Sequence, residues 1–211
     1  MPAPREAKVI TVLATSAKVI ALTFDGGADS GGAASILSTL SAQGVMASFF
    51  VTGRFAQSYP SLTAQLAKVG PVGNHSWDHP HFPALTDQAA LTQLDRTRST
   101  ILAAAGADPR PFFRFPFGDS DARTRSLVGN AGYVAVGWTV DSVGWKGTSG
   151  GLTATSVADR VVAAAKPGAI VLMHLGAHPD DHTTLDADAL PSIITRLRAL
   201  GYSFVTLGSL R

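Results

Sequence analysis

Two histidines four residues apart stand in the stretch Asn74-His75-Ser76-Trp77-Asp78-His79-Pro80. If the chain runs on into a helical turn, imidazoles at that spacing share a face and can grip one metal ion. The plainer alternative is a pair of surface histidines beside a loop, and the short pattern alone does not separate the two. His81 comes two residues later; its ring is expected to project elsewhere and to serve the fold. A second stretch, Ala21-Leu22-Thr23-Phe24-Asp25-Gly26-Gly27-Ala28-Asp29, carries a buried-strand pattern onto an acid, two glycines and a second acid. The question it raises is which acid works.

Three further stretches carry polar groups at strand ends. In Arg114-Phe115-Pro116-Phe117-Gly118 the arginine can clamp a carboxylate, and Pro116 with Gly118 shapes a turn able to aim a backbone N–H inward. On this piece alone, a surface ion pair beside a turn is the better explanation. Trp138-Thr139-Val140-Asp141-Ser142-Val143-Gly144-Trp145 sets an acid between two indoles, which also suits aromatic core with a cap. Ile170-Val171-Leu172-Met173-His174-Leu175 is a buried strand with one histidine, a residue that is ordinarily a satisfied core group. His178 and His182, beside Asp180 and Asp181, are expected to be solvated.

The elements that position these residues alternate. Short runs rich in β-branched and aromatic residues predict strands over Val19–Phe24, Ala47–Val51, Val72–Ser76, Phe112–Pro116, Tyr133–Asp141, Ala169–Leu175 and Ser203–Leu207. Helical patterns cover Ala33–Gln43, Leu62–Val69, Asp87–Ala105, Asp121–Ala131, Ser156–Ala165 and Ala189–Ala199. Gly44, Gly70, Gly106, Gly132 and Gly201 come after helical patterns as stops. Strands alternating with helices imply a parallel sheet, either a closed or nearly closed barrel or an open doubly wound sheet. Asp25, His75, Arg114, Asp141 and His174 each fall at the C-terminal end of a strand, where an α/β barrel gathers its active site. That favours the barrel.

Composition bounds the rest. The chain has 211 residues, 45% of them apolar, a net charge of +2 and no cysteine. One domain of moderate size, over 1–211, is expected. Disulfides, thiolate zinc sites and cysteine nucleophiles are excluded together. Basic residues are scattered, and no nucleic-acid motif accompanies them. No apolar run approaches a membrane span. Val9–Ala14 is apolar but short, and Ser16 and Lys18 interrupt any extension of it, so it does not read as a signal peptide.

The order of the motifs is more specific than any one of them. TFD, HSxxH, RxPFG, DSxxW and LMH, each after a successive strand, resemble the polysaccharide deacetylase family, the NodB-homology group or carbohydrate esterase family four, from about Val19 to Leu207. The resemblance implies an α/β fold, a distorted seven-stranded (β/α) barrel. It implies metal-dependent hydrolysis of N-acetyl or O-acetyl groups on sugars such as N-acetylglucosamine oligomers, peptidoglycan or acetylxylan. Asp25 matches the family's general base, His75 and His79 its metal ligands, and Arg114 the residue that orients the base. Phe117 matches the residue whose backbone N–H meets the oxyanion. Asp141 matches the first acid of the family's DxxDW, and Trp145 its indole. His174 matches the general acid, and Leu172 lines the acetyl pocket. Trp77, Trp145 and Phe117 offer rings for sugar faces, with core packing as the alternative for each. A divalent ion is implied, zinc first, with cobalt, manganese or nickel as options. An acetylated polysaccharide or oligosaccharide substrate, a monomer and an extracellular or wall-associated location are implied as well.

This sequence departs from the pattern twice. The family's first motif is TFDDG, and its metal-binding second acid is Gly26 here. Asp29 is favoured as the replacement ligand, with Asp25 itself or a water as alternatives and an N-cap as Asp29's structural role. The second acid of DxxDW is Gly144 here, which leaves Asp141 as the expected orienter of His174. A non-catalytic carbohydrate-binding relative, or an amide hydrolase acting on a small non-sugar substrate, remains a competing reading.

Overall fold

The computed structural model describes residues 8–27 and 29–210. Met1–Ala7, Ala28 within the Asp25–Asp29 stretch, and Arg211 lie outside the described residues. In chain order the elements are β1 (Val19–Gly26), α1 (Ala33–Gln43), β2 (Ser48–Val51), α2 (Gly53–Ser58), α3 (Pro60–Val69), β3 (Val72–Asn74), α4 (Asp87–Ala105), β4 (Phe112–Phe113), α5 (Ala122–Asn130), β5 (Val134–Ala135), β6 (Val140–Asp141), α6 (Ala154–Ala163), β7 (Ala169–His174), α7 (Leu185–Ala199) and β8 (Ser203–Phe204). They form two compact units. The flanking unit takes in Val12–Phe49, Val69–Pro71 and Trp138–Arg211; the central unit takes in Phe50–Lys68, Val72–Gly137 and the segment ending at Thr11.

In the flanking unit β7 lies between β1 and β6, β8 pairs with β1, and each of these pairs is parallel. β1 is buried from Ile20 to Gly26, on both faces, which explains its nearly unbroken apolar run. Thr23 tolerates burial because its hydroxyl donates to Val171 O at 2.6 Å. Phe24 stacks on Phe49 with ring centroids 5.8 Å apart. α7 packs against α6 and α1. It starts at Leu185, ahead of the expected Ala189, with Asp186 and Asp188 in its first turn and Pro191 inside. Acids favour the positive end of the helix dipole, and Pro191 hides that start from a reader of periodicity.

In the central unit β4 lies between β3 and β5, again in parallel. The core beneath it is Phe82, Leu94, Phe113, Phe115, Val128 and Tyr133. Phe113 and Phe115 meet edge to face at 4.8 Å, the arrangement ring quadrupoles prefer. α4 begins on Thr86, whose hydroxyl accepts from Ala89 N, and ends on left-handed Gly106 at φ 68°. α2 has no counterpart in the periodicity. It exists because the Thr52 hydroxyl accepts from Phe55 N at 3.0 Å, and it packs on α4. A Cβ at Gly53, its first residue, would lie 2.1 Å from Trp77 Cε3, so glycine lets that indole into the core.

The expected strand Tyr133–Asp141 is broken. Val134–Ala135 pairs with β4 in one unit, and Val140–Asp141 pairs with β7 in the other. Between them Val136 bridges Ile10, and Gly137 N donates to Ile10 O at 2.8 Å. The segment before Thr11 thus takes the hydrogen bonds that a continuous strand would have carried.

Candidate functional site

In the central unit β3 ends at Asn74, and the chain beyond it is not helical. Ser76 and His79 both adopt left-handed backbone, at φ 67° and 65°. Asn74 fixes the turn. Its Oδ1 accepts from Ser76 N at 2.9 Å, while its amide donates to Leu94 O and to the Tyr133 hydroxyl. Ser76 Oγ then accepts from His79 N at 3.1 Å. The outcome is the one a helical turn was expected to give, reached by another route: the rings of His75 and His79 lie 4.8 Å apart, edge to face.

His75 is buried, and its Nδ1 stands 2.9 Å from Arg114 O. A carbonyl can only accept, so Nδ1 carries the hydrogen and Nε2 the lone pair, the tautomer a metal ligand needs. Arg114 has no solvent exposure. Its Nε donates to Val136 O at 3.2 Å, one Nη to Gly137 O at 3.0 Å, and the guanidinium lies 4.2 Å from the centre of the Phe50 ring. Phe117 is 59% exposed and left-handed at φ 59°, a conformation that costs a non-glycine residue about 1–2 kcal/mol. His79 meets the Phe117 ring edge-on at 4.4 Å, and His81 stacks on it at 4.1 Å while its Nδ1 contacts Asp119 Oδ2 at 2.9 Å. His81, expected to serve only the fold, therefore holds the ring of a candidate substrate residue. Trp77 is buried beneath Arg96, whose guanidinium sits 3.5 Å from the ring centre, so the core alternative holds for this indole.

The flanking unit carries the acids. Asp25, near the end of β1 and only 6% exposed, stands directly opposite His174 in the register with β7. Cross-strand partners point to the same side of a sheet, so a carboxylate and an imidazole neighbour each other. Leu172, also on β7, is buried opposite Thr23 and Asp141. Burial alone would pull the His174 pKa down. The hydrogen bond and charge of Asp186 outweigh it, helped by the charges of Asp25 and Asp141, and the pKa is raised.

Two expectations change here. Asp141 does not orient His174. Its Oδ1 accepts from Val143 N at 2.8 Å and its Oδ2 from Trp145 Nε1 at 3.2 Å, so both oxygens serve the β6 turn and the half-exposed indole. Asp186 stands beside His174 instead, its Oδ2 2.8 Å from the backbone N and 3.4 Å from Nδ1. Sequence reading missed it because Asp186 fell in a presumed loop; the paired acids ahead of the apolar positions 193, 194 and 197 were the available signal of a helix start. The structural role of Asp29 also differs from the one considered. Its Oδ1 accepts from Gly31 N at 2.9 Å and Ala177 N at 2.5 Å, while Gly32 takes the N-cap position of α1. Burial pushes the Asp29 pKa up, but N–H groups of Ala177, Gly31 and Ser30 more than reverse this and hold it low. Asp29 is thus an anion held by backbone N–H groups. The loop beyond β7 is likewise more ordered than a solvated one: His178 Nδ1 accepts from Asp180 N and Asp181 N at 3.3 Å each.

Among the described residues no group of three or more His, Cys, Asp or Glu is gathered as a complete metal cage. The pair His75 and His79 nonetheless fits a borderline divalent cation in donor type and proximity, and His75 also in tautomer. No helix among the described residues is long and apolar enough to cross a membrane.

Comparison with known proteins extends the picture. Residues 13–136 match the family model "Polysaccharide deacetylase". A peptidoglycan-N-acetylglucosamine deacetylase of Bacillus cereus is 33% identical over 192 residues, 90% of this chain and 67% of its own length. The chain spans only 39% of a Listeria monocytogenes peptidoglycan-N-acetylglucosamine deacetylase, at 36% identity over 92% of this chain. Among solved structures, a peptidoglycan N-acetylglucosamine deacetylase bound to a hydroxamate-type benzamide superposes with a TM-score of 0.87 at 29% identity, covering 96% of this chain and 92% of that one. A Bacillus anthracis protein described as a family-four carbohydrate esterase pseudoenzyme superposes equally well, at TM-score 0.87 and 27% identity over 97% of this chain and 69% of that one. The expected α/β fold of the deacetylase (β/α)-barrel type is therefore the observed one.

Proposed function

The chain belongs to the polysaccharide deacetylase family, and we propose that it removes N-acetyl groups from N-acetylglucosamine units of a cell-wall glycan, acting outside the cell or at the wall. The observation that carries this reading is the register of Asp25 with His174: a carboxylate and an imidazole of raised pKa on adjacent parallel strands. Amide hydrolysis needs a base for water and an acid for the departing nitrogen, because an amine anion does not leave.

In this proposal the span 19–207 serves as one catalytic domain. His75 and His79 hold a divalent ion, zinc by donor preference, with Asp29 as the third ligand in place of the carboxylate missing at Gly26. Bound there, the ion supplies Lewis acidity and a lowered water pKa. Asp25 accepts the proton of the attacking water. Arg114 orients Asp25. The Phe117 backbone N–H, aimed by its left-handed conformation, donates to the carbonyl oxygen as charge develops there. His174 gives its proton to the nitrogen of the sugar as the C–N bond breaks, leaving acetate and a free amine. Leu172 shapes the acetyl pocket, and exposed Phe117 and Trp145 present ring faces to sugars.

A second reading, a carbohydrate-binding relative without turnover, is favoured by one feature, Gly26 at the place of a metal carboxylate. One assay separates the two. Acetate release is measured from N-acetylglucosamine oligomers, peptidoglycan and acetylated xylan, with and without added zinc. Release from the N-acetylated glycans, dependent on metal, is expected; glycan binding with no release from any substrate establishes the second reading.

A further inference from the structure

Asp186 lies in the first turn of α7, is 4% exposed, and uses Oδ2 on both the backbone N and the Nδ1 side of His174. Its Oδ1 is buried and has no hydrogen-bond partner among the described residues. A buried carboxylate oxygen left without a donor is unfavourable, so its retention calls for a reason other than stability. The reason lies on its other side. A Cβ placed on Gly144 would come within 2.3 Å of that Oδ1 and 2.7 Å of the carboxyl carbon. Any side chain at 144 would therefore enter the space that the Asp186 carboxylate now fills. Gly144 comes directly after Val143, a β-branched residue held left-handed at φ 58° by the Asp141 cap on its N–H. The turn that spends Asp141 elsewhere is the same turn that leaves room for Asp186.

We propose that Asp186 is the positioning residue of His174, seated in the gap left by Gly144, where it fixes the imidazole and holds its proton for transfer. This rests on the hydrolytic reading above for its consequence in turnover, but not for the interaction itself. Other charged groups facing His174 within the flanking unit are Asp25 on β1 and Asp141 on β6; Arg160 on α6 reaches only the Asp141 main-chain carbonyl, at 2.7 Å. The two other acids have settled positions of their own, at a strand end and in a turn. Asp186 touches the His174 side chain itself, its Oδ2 3.4 Å from Nδ1.

The test uses three zinc-loaded variants: Asp186→Asn, Gly144→Ala, and the exchange Gly144→Asp with Asp186→Ala. The imidazole of His174 is titrated by NMR, and acetate release is measured against pH. Asp186→Asn keeps the shape and the acceptor for the backbone N–H. It is expected to lower the His174 pKa by about one unit or more, as loss of a neighbouring opposite charge does. The alkaline limb of kcat should move down by the same amount. kcat itself should fall at least about 10²-fold, the lower range of what a general acid contributes, with KM little changed. Gly144→Ala should act in the same direction by displacing the carboxylate. The exchange variant, with an acid entering the same space from the other side, should recover most of the His174 pKa. A His174 pKa unmoved in Asp186→Asn and Gly144→Ala overturns the proposal, whatever happens to thermal stability. Should the unmodified protein release no acetate from any glycan, the hydrolytic reading falls, while the titration still decides whether Asp186 tunes His174.

Discussion

The two units place their polar residues by different means. In the central unit His75, His79, Arg114 and Phe117 are set by loop backbone under strain: three left-handed non-glycine residues, Ser76, His79 and Phe117, lie in two short stretches. Their side chains are cationic or neutral, and carbonyls and aromatic rings hold them. In the flanking unit Asp25 and His174 sit on regular parallel strands, and carboxylates hold the histidine. Strand register fixes a pair with little strain, whereas gathering two imidazoles from one short loop demands a bent backbone. The proposed proton-handling pair thus rests on regular strands, and the proposed ligand pair on the costlier loop.

The strongest test of this contrast removes the ligand pair. Replacing both His75 and His79 with alanine should abolish zinc binding, read by calorimetry, and acetate release together. Retained stoichiometric zinc would show that the central unit is not the ligand-bearing half.

A subtler pair of variants sharpens it within the flanking unit. Asp25→Asn should keep the metal and lose about 10²–10⁴-fold in acetate release, since the base is gone and the ligands remain. Asp29→Ala should instead weaken zinc affinity by at least about 10–100-fold, the range found even for residues that merely support a ligand. The opposite pattern, zinc lost in Asp25→Asn and kept in Asp29→Ala, would exchange the two roles.

The smallest effect concerns acid stability of the central unit and leaves catalysis alone. Asp108 accepts from Arg110 and Arg98, and these two guanidinium groups hold its carboxyl well below the usual carboxylate range. Its folded pKa is depressed, so its contribution is complete above the ordinary aspartate value of about 4 and disappears as pH falls toward the folded value. After solvent screening that contribution is about 1 kcal/mol. Melting temperatures from pH 6 to pH 2 should therefore fall more steeply for the unmodified protein than for Asp108→Asn. Parallel curves would remove Asp108 from the account.

Much of the arrangement was legible because it is local. Strand ends bearing Asp25 and His174, the spacing of His75 and His79, and helix stops at Gly44, Gly106 and Gly132 all come from short-range pattern, and each of those glycines is left-handed. What escaped was set by contacts distant in sequence. The break after Ala135 depends on Ile10, and the partner of His174 on a glycine 42 positions before Asp186 in the chain, as their numbers, 186 and 144, give. Asp141 was the nearer acid in the motif, but a turn hydrogen bond to its own neighbour Val143 claimed it first.

The closeness of residue 144 to the Asp186 carboxylate also constrains the substitutions available to this chain. An acid at 144 and an acid at 186 would contest one volume and repel each other, so what one position can hold depends on the other. An acid introduced at 144 alone meets an occupied site.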